Sequence, residues 1–226
     1  LVDNQVEVED DKDKAKVLLR AFFPPTPDGW EIAGSQNTFL IRDNPDVTVE
    51  EIGYAVHKIK PWKAPGTDGL PHVVWREVWS VLKRWIHAIF SASLRLGSMP
   101  APWKIARILP LRKPDKPDYT IPEAYRPISL LSTLGKILEL VVARRLSYWA
   151  ETLGLLPTNQ FGARPRRSCE QALLILTESI KDAWRQRKVL SLVSFDVKGA
   201  YNGVPREVMA DRLSRRGIPS SIVQWV

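Results

Sequence analysis

The chain has 226 residues and a mass of 25.7 kDa, and 44% of its residues are hydrophobic. That is enough for one sizeable domain or two small ones, and too apolar for a disordered or fibrous protein. Lys and Arg number 33 against 25 Asp and Glu, giving a formal charge of +8. The single Cys169 and three histidines, His57, His72 and His87, exclude an intramolecular disulfide and a clustered zinc site.

Charge is unevenly placed. Residues 1–51 carry 5 basic and 12 acidic side chains, which leaves residues 52–226 with a net +15. So basic a body favours a polyanionic partner, nucleic acid being the commonest, with a soluble enzyme of basic surface as the alternative. No apolar run reaches the roughly 18 residues of a membrane span. The acidic start does not resemble a signal peptide, so no membrane partner and a soluble, reducing, intracellular setting are expected.

In chain order, residues 1–47 read as an acidic linker with one short helix near 14–22, broken by Pro24, Pro25 and Pro27. The first firm helix is predicted over 48–60. Thr48 and Glu51 form a capping box, Val47 can staple onto Ile52, and Pro61 ends the run. A loop, 61–71, precedes a long helix whose apolar residues Val74, Val78, Leu82, Trp85, Ile86, Ile89 and Leu94 recur every three or four positions, with Gly97 as its stop. Segments 103–111 and 126–131 are predicted as the strands of a hairpin with a long basic connection.

Helices are predicted over 134–149 and 169–187, joined by a polar loop carrying Arg164, Arg166 and Arg167. A short apolar strand over 189–195 and a last helix over 205–216 follow. The histidines, in apolar stretches of helical spacing, read as packing residues. The chain ends at Gln224, Trp225 and Val226 as though inside another apolar segment, so C-terminal truncation is expected.

Three places carry chemistry. Asp196, at the exit of the apolar segment and followed by Gly199, Ala200 and Tyr201, suits a hard cation such as Mg²⁺, which takes oxygen ligands; a turn-capping role is the plainer alternative. Arg107, Arg112, Lys113, Lys116 and Arg126 lie on or beside the hairpin, placed to neutralise a triphosphate or simply to form a solvated charged face. The loop 63–69, Lys63-Ala64-Pro65-Gly66-Thr67-Asp68-Gly69, has tight-turn residues but not the spacing of an NTPase phosphate loop.

Taken in order, these segments resemble the reverse transcriptases of non-LTR (LINE-like) retrotransposons, most closely those of fungal-type elements. The matching residues are the loop 63–70; Trp103 through Ile108-Leu109-Pro110-Leu111-Arg112-Lys113-Pro114; Tyr125-Arg126-Pro127-Ile128-Ser129-Leu130-Leu131-Ser132 with Lys136, Glu139, Arg145 and Leu146; Asn159-Gln160-Phe161-Gly162-Ala163-Arg164-Pro165; and 196–201. The resemblance covers residue 48 to the end.

The resemblance implies an α+β fold of right-hand polymerase type: fingers of helices plus a β-hairpin over 48–188, and the start of an incomplete palm over 189–226. It implies RNA-directed DNA polymerisation by two-Mg²⁺ nucleotidyl transfer in the full-length protein, from an RNA template, a DNA primer or target and deoxynucleotide triphosphates. Asp196 corresponds to the first catalytic, metal-binding aspartate, with the Val197 carbonyl as a second oxygen. Tyr201 corresponds to the aromatic gate against a 2′-hydroxyl. Lys113 and Arg126 correspond to the triphosphate grip, with Arg112 as the fallback should the register slip by one.

Gln160, Phe161 and Gly162, with Arg164 and, from the early loop, Lys63, correspond to template-binding positions. Ala163 replaces a frequent aromatic, and Asn202 stands where many relatives carry aspartate. The family's second metal motif, an aromatic residue, any residue, then two aspartates, does not occur in the 226 residues. A piece lacking it is expected to be inactive alone, because in-line transfer needs two cations. Two alternatives stay open: a catalytically dead RNA-binding remnant, and a group II intron maturase-like enzyme, which the Tyr125 to Ser129 pattern fits less well.

Overall fold

The computed structural model describes residues 1–3, 6–25, 44–197 and 203–226. Within them the chain divides into two compact units, Leu1–Val142 with Gly199–Val226, and Ala143–Lys198.

The first unit begins with a two-stranded ribbon, β1 (Val2–Asp3) and β2 (Val6–Glu7), followed by α1 (Asp11–Phe22). This helix is longer than the one expected near 14–22. Asp10 caps it, accepting the backbone N–H groups of Lys12 and Asp13, and acidic residues in its first turn favour its positive end. Val17 and Phe22 are buried, and the Val2 amide donates to the Thr120 carbonyl at 2.8 Å. The acidic start is thus folded into this unit at both ends of its described stretch.

Helix α2 (Val49–Lys58) starts with the expected capping box, and the staple pair Val47 and Ile52 is buried. Its carbonyl end is closed from α3 (His72–Arg95). The His72 ring nitrogen Nε2 donates to the Val56 carbonyl at 2.7 Å, and Arg76 donates to the carbonyls of Val56, His57 and Ile59. Four orphan carbonyls at a helix end need partners, and a cation there also suits the helix dipole. Burial, the dominant cause, lowers the His72 pKa. Of the three histidines, His72 is buried, His87 is half-buried with a bond to the Val47 carbonyl, and His57 is exposed, so packing accounts for two of them.

Gly97, with φ of +59°, ends α3 as expected, and the Ser98 amide reaches back to the Ser93 carbonyl at 3.0 Å, which is the left-handed helix stop. The hairpin differs at its entry. Trp103 lies in a 3-10 turn, Ala101–Lys104, and the strand β3 begins only at Arg107 (Arg107–Arg112). Pro102 favours this, because its fixed φ suits the opening positions of a helical turn, where its missing N–H costs nothing. Strand β4 (Tyr125–Leu130) pairs antiparallel with β3 over six residues, Arg107 opposite Leu130 through Arg112 opposite Tyr125.

Helix α4 (Thr133–Thr152) continues from the hairpin and supplies Ile137, Leu138, Val141 and Val142 to a core shared with Ile52 and Val56 of α2 and Ile86 and Phe90 of α3. Helices α6 (Arg206–Arg215) and α7 (Ser220–Trp225) complete this unit. Ile222 and Trp225 are buried, and the Trp225 indole N–H donates to Ser93 at 2.9 Å.

The second unit holds the end of α4, a loop, and α5 (Cys169–Arg185), which opens with a capping box of Ser168 and Gln171. The strand expected over 189–195 is absent. That stretch forms no regular structure and pairs with no strand, with Val189 93% and Phe195 87% exposed. A strand needs a neighbour for its N–H and C=O groups, and among the described residues the two sheets are β1–β2 and β3–β4 alone. Among the described residues, no helix is long and apolar enough to cross a membrane.

Candidate nucleotide and template surfaces

Side chains alternate across a strand, so the register of the hairpin sorts its cations by face. Leu111 and Arg126 are cross-strand partners, as are Leu109 and Ile128. All four are exposed, and Arg107 shares their parity on β3. Ile108, Pro110, Arg112 and Tyr125 occupy the opposite face, where with Leu18, Leu19 and Phe22 of α1 they line a groove of about 800 Å³.

Arg112 and Arg126 therefore serve different surfaces. The Arg112 guanidinium lies 5.2 Å from the Tyr119 ring centroid, a cation–π contact. Tyr119 meets Tyr125 edge-on at 6.3 Å and donates its hydroxyl to the Lys113 carbonyl at 2.7 Å. Lys113 extends the ladder by one step, its amide donating to the Ala124 carbonyl at 2.8 Å, and its ammonium reaches the Glu123 carbonyl at 2.7 Å. Asp118 closes the connection by accepting the amide and hydroxyl of Thr120, bonds that hold its carboxyl below the usual range.

The loop 63–69 is tied to the exit of this hairpin. A Cβ on Gly66 would stand 2.5 Å from the Leu131 carbonyl carbon and 2.6 Å from the Ser132 nitrogen, so only glycine fits against that backbone. Thr133 donates to the Leu70 carbonyl at 2.8 Å and receives the Trp75 indole N–H at 2.7 Å. Lys63 is exposed. Neither Gly66's neighbour nor the Trp75–Thr133–Leu70 relay was readable from the sequence, because the partners lie about 60 positions apart along the chain.

In the second unit the loop after α4 is built around Arg164. Its side chain is 7% exposed and makes a paired bond to Glu151, with Nε to Oε1 at 2.9 Å and Nη2 to Oε2 at 2.8 Å. It also donates to the Pro157 carbonyl at 2.7 Å and the Gln160 carbonyl at 3.4 Å. Arg164, expected to meet a template, is thus drawn inward to shape the loop. Gln160 and Gly162 are exposed, Phe161 is half-buried, and the Arg167 guanidinium lies 5.3 Å from the Phe161 ring centroid. Ala163 takes a φ of +57°, a conformation that costs a residue with a Cβ.

The Arg164 bonds hold the Glu151 carboxyl below its ordinary range and raise the guanidinium above its own. A carboxyl whose folded pKa is lowered adds stability above its unfolded value, about 4.3, and loses it as pH falls through the folded one. Amide protection factors over 157–168 are therefore expected to drop below about pH 4. Glu151→Gln should give low protection at neutral pH without that acid step. An unchanged acid profile in the variant would show that Arg164 does not hold the loop.

Asp196 and Val197 belong to the second unit and are exposed, just after the apolar stretch 189–195. The cations of the hairpin belong to the first. Tyr201 lies outside the described residues. A Mg²⁺ ion takes hard oxygen donors, and Asp196 with the Val197 carbonyl is a donor set of that kind. Among the described residues, however, no group of three or more Asp, Glu, His or Cys side chains gathers to hold a metal. The donors are right in type and too few to fit two ions.

The family model described as "Reverse transcriptase (RNA-dependent DNA polymerase)" matches residues 111–226. The "Putative 115 kDa protein in type-1 retrotransposable element R1DM" of Drosophila melanogaster is 33% identical over 211 residues, which cover 91% of this chain and 19% of that protein. The "Probable RNA-directed DNA polymerase from transposon BS" of the same fly is 32% identical over 169 residues, 75% of this chain and 18% of its own length. A "Retrovirus-related Pol polyprotein from type-1 retrotransposable element R2" of Popillia japonica is 30% identical over 178 residues, 78% and 23%. The chain spans about a fifth of the length of these relatives. With the family model matched over more than half of its residues and similarity to retrotransposon proteins across most of the rest, the chain belongs to the reverse transcriptase family of non-LTR retrotransposons.

Proposed function

We propose that these residues form the fingers, and the approach to the palm, of an RNA-directed DNA polymerase that copies an RNA template onto a DNA primer. The relatives named above come from insects, so the proposal is made for non-LTR elements as a group rather than for fungal-type ones. Arg126 and Lys113 receive the triphosphate of an incoming deoxynucleotide. Gln160, Phe161 and Gly162, with Lys63 on its separate loop, meet the template. Tyr201 excludes ribonucleotides by bulk. Asp196, with the Val197 carbonyl, contributes one hard-oxygen corner of a Mg²⁺ site whose other carboxylates come from outside the described residues. Mg²⁺ would supply charge neutralisation at the transferring phosphate.

The observation that carries the nucleotide assignment is the hairpin register. It exposes Arg126 beside Leu111 while it directs Arg112 to the tyrosines and α1. A cation in the open can form charge-assisted bonds to a phosphate, and one already stacked on a ring is less available. In the intact polymerase, Arg126→Ala is expected to raise the nucleotide KM roughly ten- to hundred-fold, the scale of one lost charged hydrogen bond. Arg112→Ala should leave KM unchanged and lower the melting temperature. Loss of template affinity alone in Arg126→Ala would move that residue to another surface, and a KM effect from Arg112→Ala would reverse the facial assignment.

A further inference from the structure

The run 57–67, His57-Lys58-Ile59-Lys60-Pro61-Trp62-Lys63-Ala64-Pro65-Gly66-Thr67, contains three lysines and no carboxylate. Lys58, Lys60 and Lys63 are all exposed, and Trp62 between them is 80% exposed. Trp85, exposed as well, shares the outer side of α3 with Val81 and Ile89, a spacing that reads as a helix packing face. Trp62 differs from it in being an indole among cations on a loop.

The loop that carries it is held at three places. The Val73 amide donates to the Pro61 carbonyl at 3.0 Å and closes the loop at its base. Gly66 lies against the backbone of Leu131 and Ser132 with no room for a Cβ. The Leu70 carbonyl is bonded by Thr133. Pro61 and Pro65 restrict the backbone on either side of the indole. A side chain of this size, presented to water on a backbone so well fixed, loses little conformational freedom on receiving a flat ligand.

We propose that Trp62 is a stacking platform for an unpaired base of single-stranded RNA, with the Lys63 ammonium on the adjoining phosphate. Aromatic faces that alternate with cations are the means by which proteins hold single strands without reading their sequence. The inference rests on the template reading of the loop 63–69 and adds to it a residue, a contact type and a ligand class.

The test is binding of a fluorescein-labelled oligoadenylate of about 12 nucleotides to the full 226-residue chain, measured by anisotropy across a salt series, with circular dichroism as the check on folding. Trp62→Ala is expected to weaken binding roughly 5- to 150-fold and to leave the slope of log K against log salt unchanged, since no charge is removed. Trp62→Phe should recover most of the affinity. Lys63→Ala should reduce the slope by about 0.7, one phosphate contact on a single strand. Trp62→Ala binding within twofold of the parent, while Lys63→Ala still changes the slope, would overturn the stacking platform and leave the template reading standing. A parent chain that binds no RNA at any salt would overturn both.

Discussion

Asp196→Asn in the intact polymerase is expected to reduce nucleotide incorporation to background while RNA affinity stays at the parent level. The substitution keeps the size and shape of the side chain and removes its negative charge. A hard divalent cation depends on that charge far more than on the oxygen count. Asp196 is exposed and its stretch is unpaired, so no packed core is disturbed and folding should be indifferent to the change. The separation of the two readouts matters because the exposed cations Lys63, Arg126 and Arg166 are spread over surfaces remote in sequence from Asp196. Electrostatic attraction for RNA comes from such cations. Retained polymerisation would remove Asp196 from the metal site, and a parallel loss of RNA affinity would make it a folding residue instead.

What the sequence revealed follows the range of the interactions concerned. The Thr48–Glu51 capping box is written within four residues and appears as expected. So does the left-handed stop at Gly97. The cations of the hairpin were also readable, but their sorting was not. Arg112 and Lys113 are neighbours in sequence, and only the pairing of Leu111 with Arg126 decides which face each serves. A shift of one residue would exchange the two faces. Arg164 was misjudged for a similar reason, since its charge pointed outward to nucleic acid while its partner Glu151 lies 13 positions earlier on a helix. The apolar stretch 189–195 failed as a strand because β structure is a property of pairs, and nothing in the residues themselves supplies the second member.

The exposed hairpin face depends on how β3 is entered, and there one buried ring is expected to dominate. Phe90→Ala should destabilise the chain by about 3–5 kcal/mol, against a total that for domains of this kind is only about 5–15 kcal/mol. Phe90 is fully buried on α3 and meets Trp103 edge-on, with centroids 5.8 Å apart and planes at 84°. On its other side Trp103 is confined by α4, where a Cβ on Gly135 would come within 3.1 Å of the Trp103 Cβ. The indole is therefore wedged between two helices, and the 3-10 turn that carries it leads into β3 within three residues. Removing the phenyl ring empties one wall of that wedge and frees the hairpin entry as well as opening a cavity. By the usual conversion the melting temperature should fall roughly 6–20 °C. Trp85→Ala removes a larger side chain from the same helix where it is 72% exposed, and should cost no more than about 0.5 kcal/mol. If the two variants melted alike, Trp103 would not be seated on Phe90, and the hairpin would owe its position to the loop 63–69 and the Leu131–Ser132 backbone instead.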